Sequence, residues 1–131
     1  MFYVKYNANP KARNIRDCVV RAVSLAFDKD YYIAYQELTF HALMERQGWL
    51  FNYPESYSGY LEEMGCIELE TFKVGKRKAR VDDLYNHEYF KSGTYLVQTK
   101  DHLTVVKDNH LYDTWDCGRE IIQRIWEVKD V

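Results

Sequence analysis

The sequence is short of cysteine, carries no excess of either charge and has no long apolar run. Each shortage removes a class of protein. Three cysteines, at 18, 66 and 117, are an odd number with no CxxC pair, and they do not cluster with histidines at zinc-finger spacing. Neither a disulfide scaffold nor a zinc module is expected. No metal or cofactor is expected, and the thiols read as free in a reducing cytoplasm. A formal net charge of −2 makes no electrostatic case for a nucleic-acid partner. No apolar stretch approaches the length of a membrane span. The segment MFYVKYNANPKAR lacks the charged start and continuous apolar stretch of a signal peptide. Repeats and low-complexity tracts are also missing. These absences together predict a cytoplasmic protein without a membrane partner; oligomeric state is not written in them.

What is present suits a single domain over residues 1–131. The 131 residues are 47% hydrophobic, enough for one real core and too few for two. Twelve tyrosines and three tryptophans suit aromatic-rich surfaces or a cleft.

Residues 1–13 read as extended or loop-like, with a turn at Asn9-Pro10. Asp17 stands where an N-cap belongs, before a helix from Cys18 to about Phe27 whose apolar stripe is 19, 22, 23 and 26. Asp28-Lys29-Asp30 ends it and caps a second helix, about Tyr31 to Arg46. That helix has Ile33, Leu38, Leu43 and Met44 among its inward candidates and Gly48 as its stop. An irregular aromatic stretch, WLFNYPESYSGYLEEMG, holds a short helix at Tyr57–Met64. CIELETF alternates as a strand, KVGKRKAR is a polar basic connector, and VDDLYNHEYF reads as a short helix. Four strands follow: TYLVQT, HLTVV, HLYDTW and IIQRIWEV. The fold class is α+β, N-terminal helices packed on a C-terminal antiparallel sheet.

The cysteine at residue 18 is placed where a packing thiol has little to pack against. At a helix start it feels the positive end of the dipole and unpaired backbone N–H groups, both of which favour thiolate. A nucleophilic cysteine needs a base, and the base needs an orienting partner. His102, opening a strand after a polar stretch, is the candidate base.

HLTVVK and HLYDTW form a hairpin if Asp108-Asn109 is a two-residue turn. Lys107 then faces His110, Val105 faces Tyr112 and Thr104 faces Asp113, and His102, Thr104, Asp113 and Trp115 share one face. Asp113 lies diagonal to His102, about 7 Å away between backbones, where its carboxylate can orient the imidazole. A three-residue turn would bring Asp116 to that face instead. The two-residue turn needs no bulge, which favours Asp113.

Three features, Asp17-Cys18 at a helix start, a later His102 opening a strand, and Tyr112-Asp113 on the next strand, resemble the papain-like cysteine peptidases. The likeness is to the small bacterial and phage types and the bacteriocin-leader peptidases. The chain order Cys, His, Asp and the order of helices before sheet are similar too, and the segments DCVVRA and HLTVV…LYDTWD also resemble uncharacterised phage-type proteins over nearly the whole chain. The resemblance implies a papain-like fold, a peptide or protein substrate and a phage or bacterial source, with the protein acting in the bacterial cytoplasm. It also implies an oxyanion donor a few residues before the nucleophile. The usual glutamine is missing, Ala12 standing six before Cys18. Asn14 is the nearest amide, and Arg16 is another donor.

Arg21, one turn after Cys18, either faces the cleft and supports a thiolate or binds surface carboxylates. KVGKRKAR reads as a solvated connector. The aromatic stretch lines a groove or fills a core. Cys66 reads as buried. Cys117 precedes a Gly118 turn with no helix behind it, His41 and His87 lie on expected helices without a partner signal, and His110 sits in or next to a turn.

Three functions remain open: hydrolysis of a peptide or isopeptide bond by Cys18, His102 and Asp113, acyl transfer by the same three residues, as in transglutaminase-like chemistry, or a catalytically inactive binding module on the same fold.

Overall fold

The helices form where apolar residues recur at helical spacing behind a stop. In the computed structural model, which describes residues 2–13, 15–45 and 51–129, α1 spans Cys18–Ala26, α2 spans Tyr31–Met44 and α3 spans Pro54–Glu63. α1 buries Val19, Val20, Ala22, Val23, Ser24 and Ala26. Asp30 caps α2 by accepting the backbone N–H groups of Tyr32 and Ile33. α3 starts earlier than Tyr57 because Pro54 occupies its first turn, where a missing N–H costs nothing. Among the described residues no helix is long and apolar enough to cross a membrane.

The inward face of α2 differs from the expected one. Leu38 is buried, but Ile33, Leu43 and Met44 are exposed, and the buried stripe is Tyr31, Ala34, Leu38, His41 and Ala42. The helix is apolar nearly all round, so its pattern does not single out a face. Two alanines within the stripe let α2 lie close against α1. Arg46 and Gly48, expected to end this helix, lie outside the described residues.

The main sheet has six strands in the order β1-β7-β6-β5-β8-β2. Their ranges are β1 Tyr3–Lys5, β2 Ile67–Leu69, β5 Thr94–Thr99, β6 His102–Lys107, β7 His110–Asp113 and β8 Arg124–Val128. It is mostly antiparallel. The exception comes from outside the C-terminal half: residues 3–5, within the stretch read as extended or loop-like, form an edge strand parallel to β7, with Tyr3 opposite Leu111 and Lys5 opposite Asp113. The basic stretch is a two-stranded hairpin, β3 Lys73–Val74 and β4 Arg77–Lys78, closed through Gly75 at φ +63°. Of VDDLYNHEYF only Val81–Leu84 is helical, as one 3₁₀ turn.

Both faces of the sheet are covered. Val19, Val20, Val23, Leu38, Tyr57 and Leu61 of the helices pack on Leu96, Leu103, Val105 and Trp126. The opposite face, Val97, Val106, Leu111 and Ile125, lies under Val81, Leu84, Phe90, Cys117 and Ile122. Strand alternation therefore sends Leu103 and Val105 towards the helices and His102, Thr104 and Val106 the other way.

Candidate active site

The turn between β6 and β7 sets the geometry. Asp108 and Asn109 have φ of 48° and 70°, the left-handed pair that matches the twist of a two-residue hairpin. The Asn109 side chain locks it, accepting the Asn86 backbone N–H at 2.7 Å and donating to the Asn86 side-chain oxygen at 2.7 Å. Lys107 pairs with His110, Val106 with Leu111 and Val105 with Tyr112. Beyond that last pair the ladder stops, and His102 Nε2 donates to Asp113 Oδ2 across the gap at 2.6 Å. The Trp115 ring stands 5.3 Å from the imidazole. Asp116 is not part of this arrangement; its carboxylate caps a local turn by accepting the Gly118 N–H at 3.0 Å.

With Nε2 engaged by Asp113, Nδ1 is the nitrogen left for Cys18. The cysteine sits at the margin of the helix-side core, at the start of α1, and shares one groove with His102. Burial alone would raise its pKa. The nearby His102 ring and Leu103 backbone, with the charges of His102 and Arg21, bring it below the ordinary thiol value. The other two thiols go the opposite way. Burial pushes Cys66 up to about 11, and burial, with the Asp113 charge behind it, raises Cys117.

The imidazole is desolvated, which opposes its charge, but the hydrogen bond to Asp113, with the Cys117 and Cys18 thiols close by, raises its pKa above the ordinary histidine value. Burial likewise works against the Asp113 carboxylate, yet the His102 hydrogen bond and charge keep its pKa low. The Thr114 backbone N–H adds a bond at 2.7 Å.

Asp17 occupies the N-cap position but caps nothing with its side chain. It is buried and accepts from Tyr31 Oη at 2.8 Å, from Asn9 Nδ2 at 3.0 Å and from Arg21. These three donors claim the carboxylate, which leaves the first-turn N–H groups of α1 without a side-chain cap from Asp17. Arg21 faces this cluster, its second guanidinium nitrogen 3.8 Å from Asp113 Oδ1.

A groove of about 800 Å³ runs over Cys18 and His102, with Arg16, Tyr53, Tyr57, Gln98, Thr114 and Trp115 among its walls. The aromatic stretch thus serves both purposes weighed for it: Tyr53 and Pro54 face the groove, Phe51 and Tyr60 the core, and Tyr57 both. Asn14 lies outside the described residues.

Sequence reasoning missed several neighbours. Cys117 is completely buried and donates its thiol to Asp113 Oδ2 at 3.7 Å. Gln98 is buried in the groove wall, giving its amide N–H to Gln123 at 3.1 Å. Asn9 and Tyr31 reach Asp17 from distant segments, and no local spacing signals them. His41, read as partnerless, bonds Glu63 at 3.2 Å.

Among the described residues, two groups of side chains place their donor atoms within 4.8 Å of one another, as a metal site requires: His102, Asp113 and Cys117, and His41, Glu45 and Glu63. No family model, curated protein or solved structure matches the chain, so its chemistry has to be argued from the geometry.

Proposed function

We propose that the chain is a cysteine-dependent hydrolase of peptide or isopeptide bonds on a papain-like fold, acting on a peptide or protein substrate in the cytoplasm. One observation carries this reading. Of three thiols, Cys18 alone lies with His102 along the open groove, beside an imidazole held by a buried carboxylate, and it alone has its pKa lowered.

The chemistry follows from the roles of these groups. The Cys18 thiolate attacks the carbonyl carbon, and the oxyanion is stabilised by uncapped N–H groups at the start of α1. The His102 imidazolium gives its Nδ1 proton to the leaving amine. Neutral His102 then takes a proton from water, whose oxygen displaces the thioester sulfur and releases the acid. Asp113 keeps the ring oriented and compensates its charge throughout. An amine in place of that water gives acyl transfer from the same thioester, and a labelled amine donor distinguishes the two.

Alkylation by iodoacetamide at neutral pH, read site by site, tests the reading. Cys18 should react at least ten times faster than Cys66 or Cys117, and His102→Ala should remove the advantage. Equal reactivity at the three sites rejects the enzyme. The missing upstream glutamine favours a second reading, an inert binding module, for which Cys18→Ser would leave biological activity intact.

A further inference from the structure

Cys117 has no part in that chemistry, yet it is completely buried against it. Its sulfur lies 3.7 Å from the Asp113 oxygen that receives the His102 hydrogen bond. One nitrogen, one oxygen and one sulfur donor thus converge within 4.8 Å. This is a mixed set of the kind that binds zinc, with the sulfur favouring Zn²⁺ over Mg²⁺ or Ca²⁺.

We propose that His102, Asp113 and Cys117 form an inhibitory Zn²⁺ site that competes with the catalytic arrangement.

The competition follows from distances. Tetrahedral zinc bonds of about 2.0 Å to N and O and 2.3 Å to S put N and O donors about 3.3 Å apart and S and O donors about 3.5 Å apart. Cys117 and Asp113, at 3.7 Å, already stand near that spacing. His102 and Asp113, at 2.6 Å, must part to admit the ion. The ion therefore replaces the hydrogen bond that orients the base. Binding releases the Cys117 thiol proton and the His102 Nε2 proton to solvent. The remaining ring proton sits on Nδ1, so His102 can no longer cycle as base and acid for Cys18. Three protein ligands leave one position for water.

The inhibition rests on the hydrolase reading; the metal site does not, and the experiment separates them. Co²⁺ is titrated into Cys18→Ser protein, and the thiolate-to-cobalt charge-transfer absorption is followed. The band should form in Cys18→Ser and vanish in Cys18→Ser/Cys117→Ala. Asp113→Asn, which keeps the thiol, should weaken Co²⁺ binding at least tenfold. A band that survives loss of Cys117, or no band in Cys18→Ser, overturns the site. Zn²⁺ should also abolish turnover of the unmodified chain, with EDTA restoring it. Turnover that persists with the site filled overturns the inhibition. A Cys117-dependent band in a chain that cleaves nothing counts against the hydrolase and the inhibition while leaving the metal site standing.

Discussion

The Arg21 guanidinium lies 3.8 Å from the Asp113 carboxylate while its other nitrogen grips Asp17. One cation on α1 thus ties the residue before the nucleophile to the carboxylate that orients the base. Both carboxylates and most of the guanidinium are out of water, so the pairing is not screened as a surface ion pair is.

Replacing Arg21 by Met keeps the bulk and removes the charge. Asp17 then loses its cation partner in the interior, at a cost of about 3 kcal/mol. Cys18 also loses a positive neighbour, so its thiol pKa rises and alkylation at neutral pH slows several-fold. Urea unfolding and labelling rates check the two effects, and Arg21→Lys should recover part of each. Unchanged stability would show that Asp17 is satisfied by Tyr31 and Asn9 alone.

The second prediction concerns the pH at which Cys18 becomes reactive. Its pKa is lowered from the ordinary 9.0, so the alkylation rate should reach half its maximum below that pH. In Asp113→Asn the imidazole loses its carboxylate, its pKa falls, and the positive charge beside the sulfur disappears at neutral pH. The inflection should then move back up. Turnover should drop by roughly 10³- to 10⁴-fold, the scale of losing the orienting carboxylate from a triad. An inflection that stays in place in Asp113→Asn would separate Cys18 activation from the His102–Asp113 pair.

Parts of this arrangement are legible in the sequence because they depend on short-range rules. Side-chain alternation and a two-residue turn place His102, Asp113 and Trp115 on one face, and a polar Arg16-Asp17 before Val19 marks where α1 begins. Other parts depend on contacts that no local pattern encodes. Residues 3–5 become a strand only because β7 offers an open edge, and three residues are too few to announce it. α2 carries apolar residues on every side, so which stripe meets α1 is decided by packing, with Ala34 and Ala42 chosen over Ile33 and Leu43. Asp17 looks like a cap by position, and only the arrival of Asn9 and Tyr31 from elsewhere turns its carboxylate inward.

Stability should also report on His102. Its folded pKa is raised above the unfolded 6.5, so the folded state holds a proton that the unfolded chain gives up. The stabilisation is complete below about pH 6.5 and is lost as pH climbs through the folded value. The stability difference between the native chain and His102→Gln, measured by urea unfolding at several pH values from 6 to 10, should shrink steadily as pH rises. A difference that is flat or grows would mean that the imidazole is neutral in the fold.

The hairpin turn offers the last test, because the register it sets decides whether His102 meets Asp113 at all. Asn109 contributes in two ways: it tolerates φ of 70°, and its amide exchanges two hydrogen bonds with Asn86. Asn109→Gly keeps the backbone freedom and loses only the exposed amide pair. Asn109→Ala loses both, and left-handed backbone costs an ordinary L-residue about 1–2 kcal/mol. Stability should therefore rank native, then Gly, then Ala, with Ala lower than Gly by about 1 kcal/mol after allowing for the flexibility glycine adds to the unfolded chain. Labelling of Cys18 should slow in the same order if strain at the turn loosens the pairing up to Val105–Tyr112. Equal stability of Gly and Ala would show that the positive φ is not what Asn109 supplies, and would move the control of register to the pairing of β6 with β5.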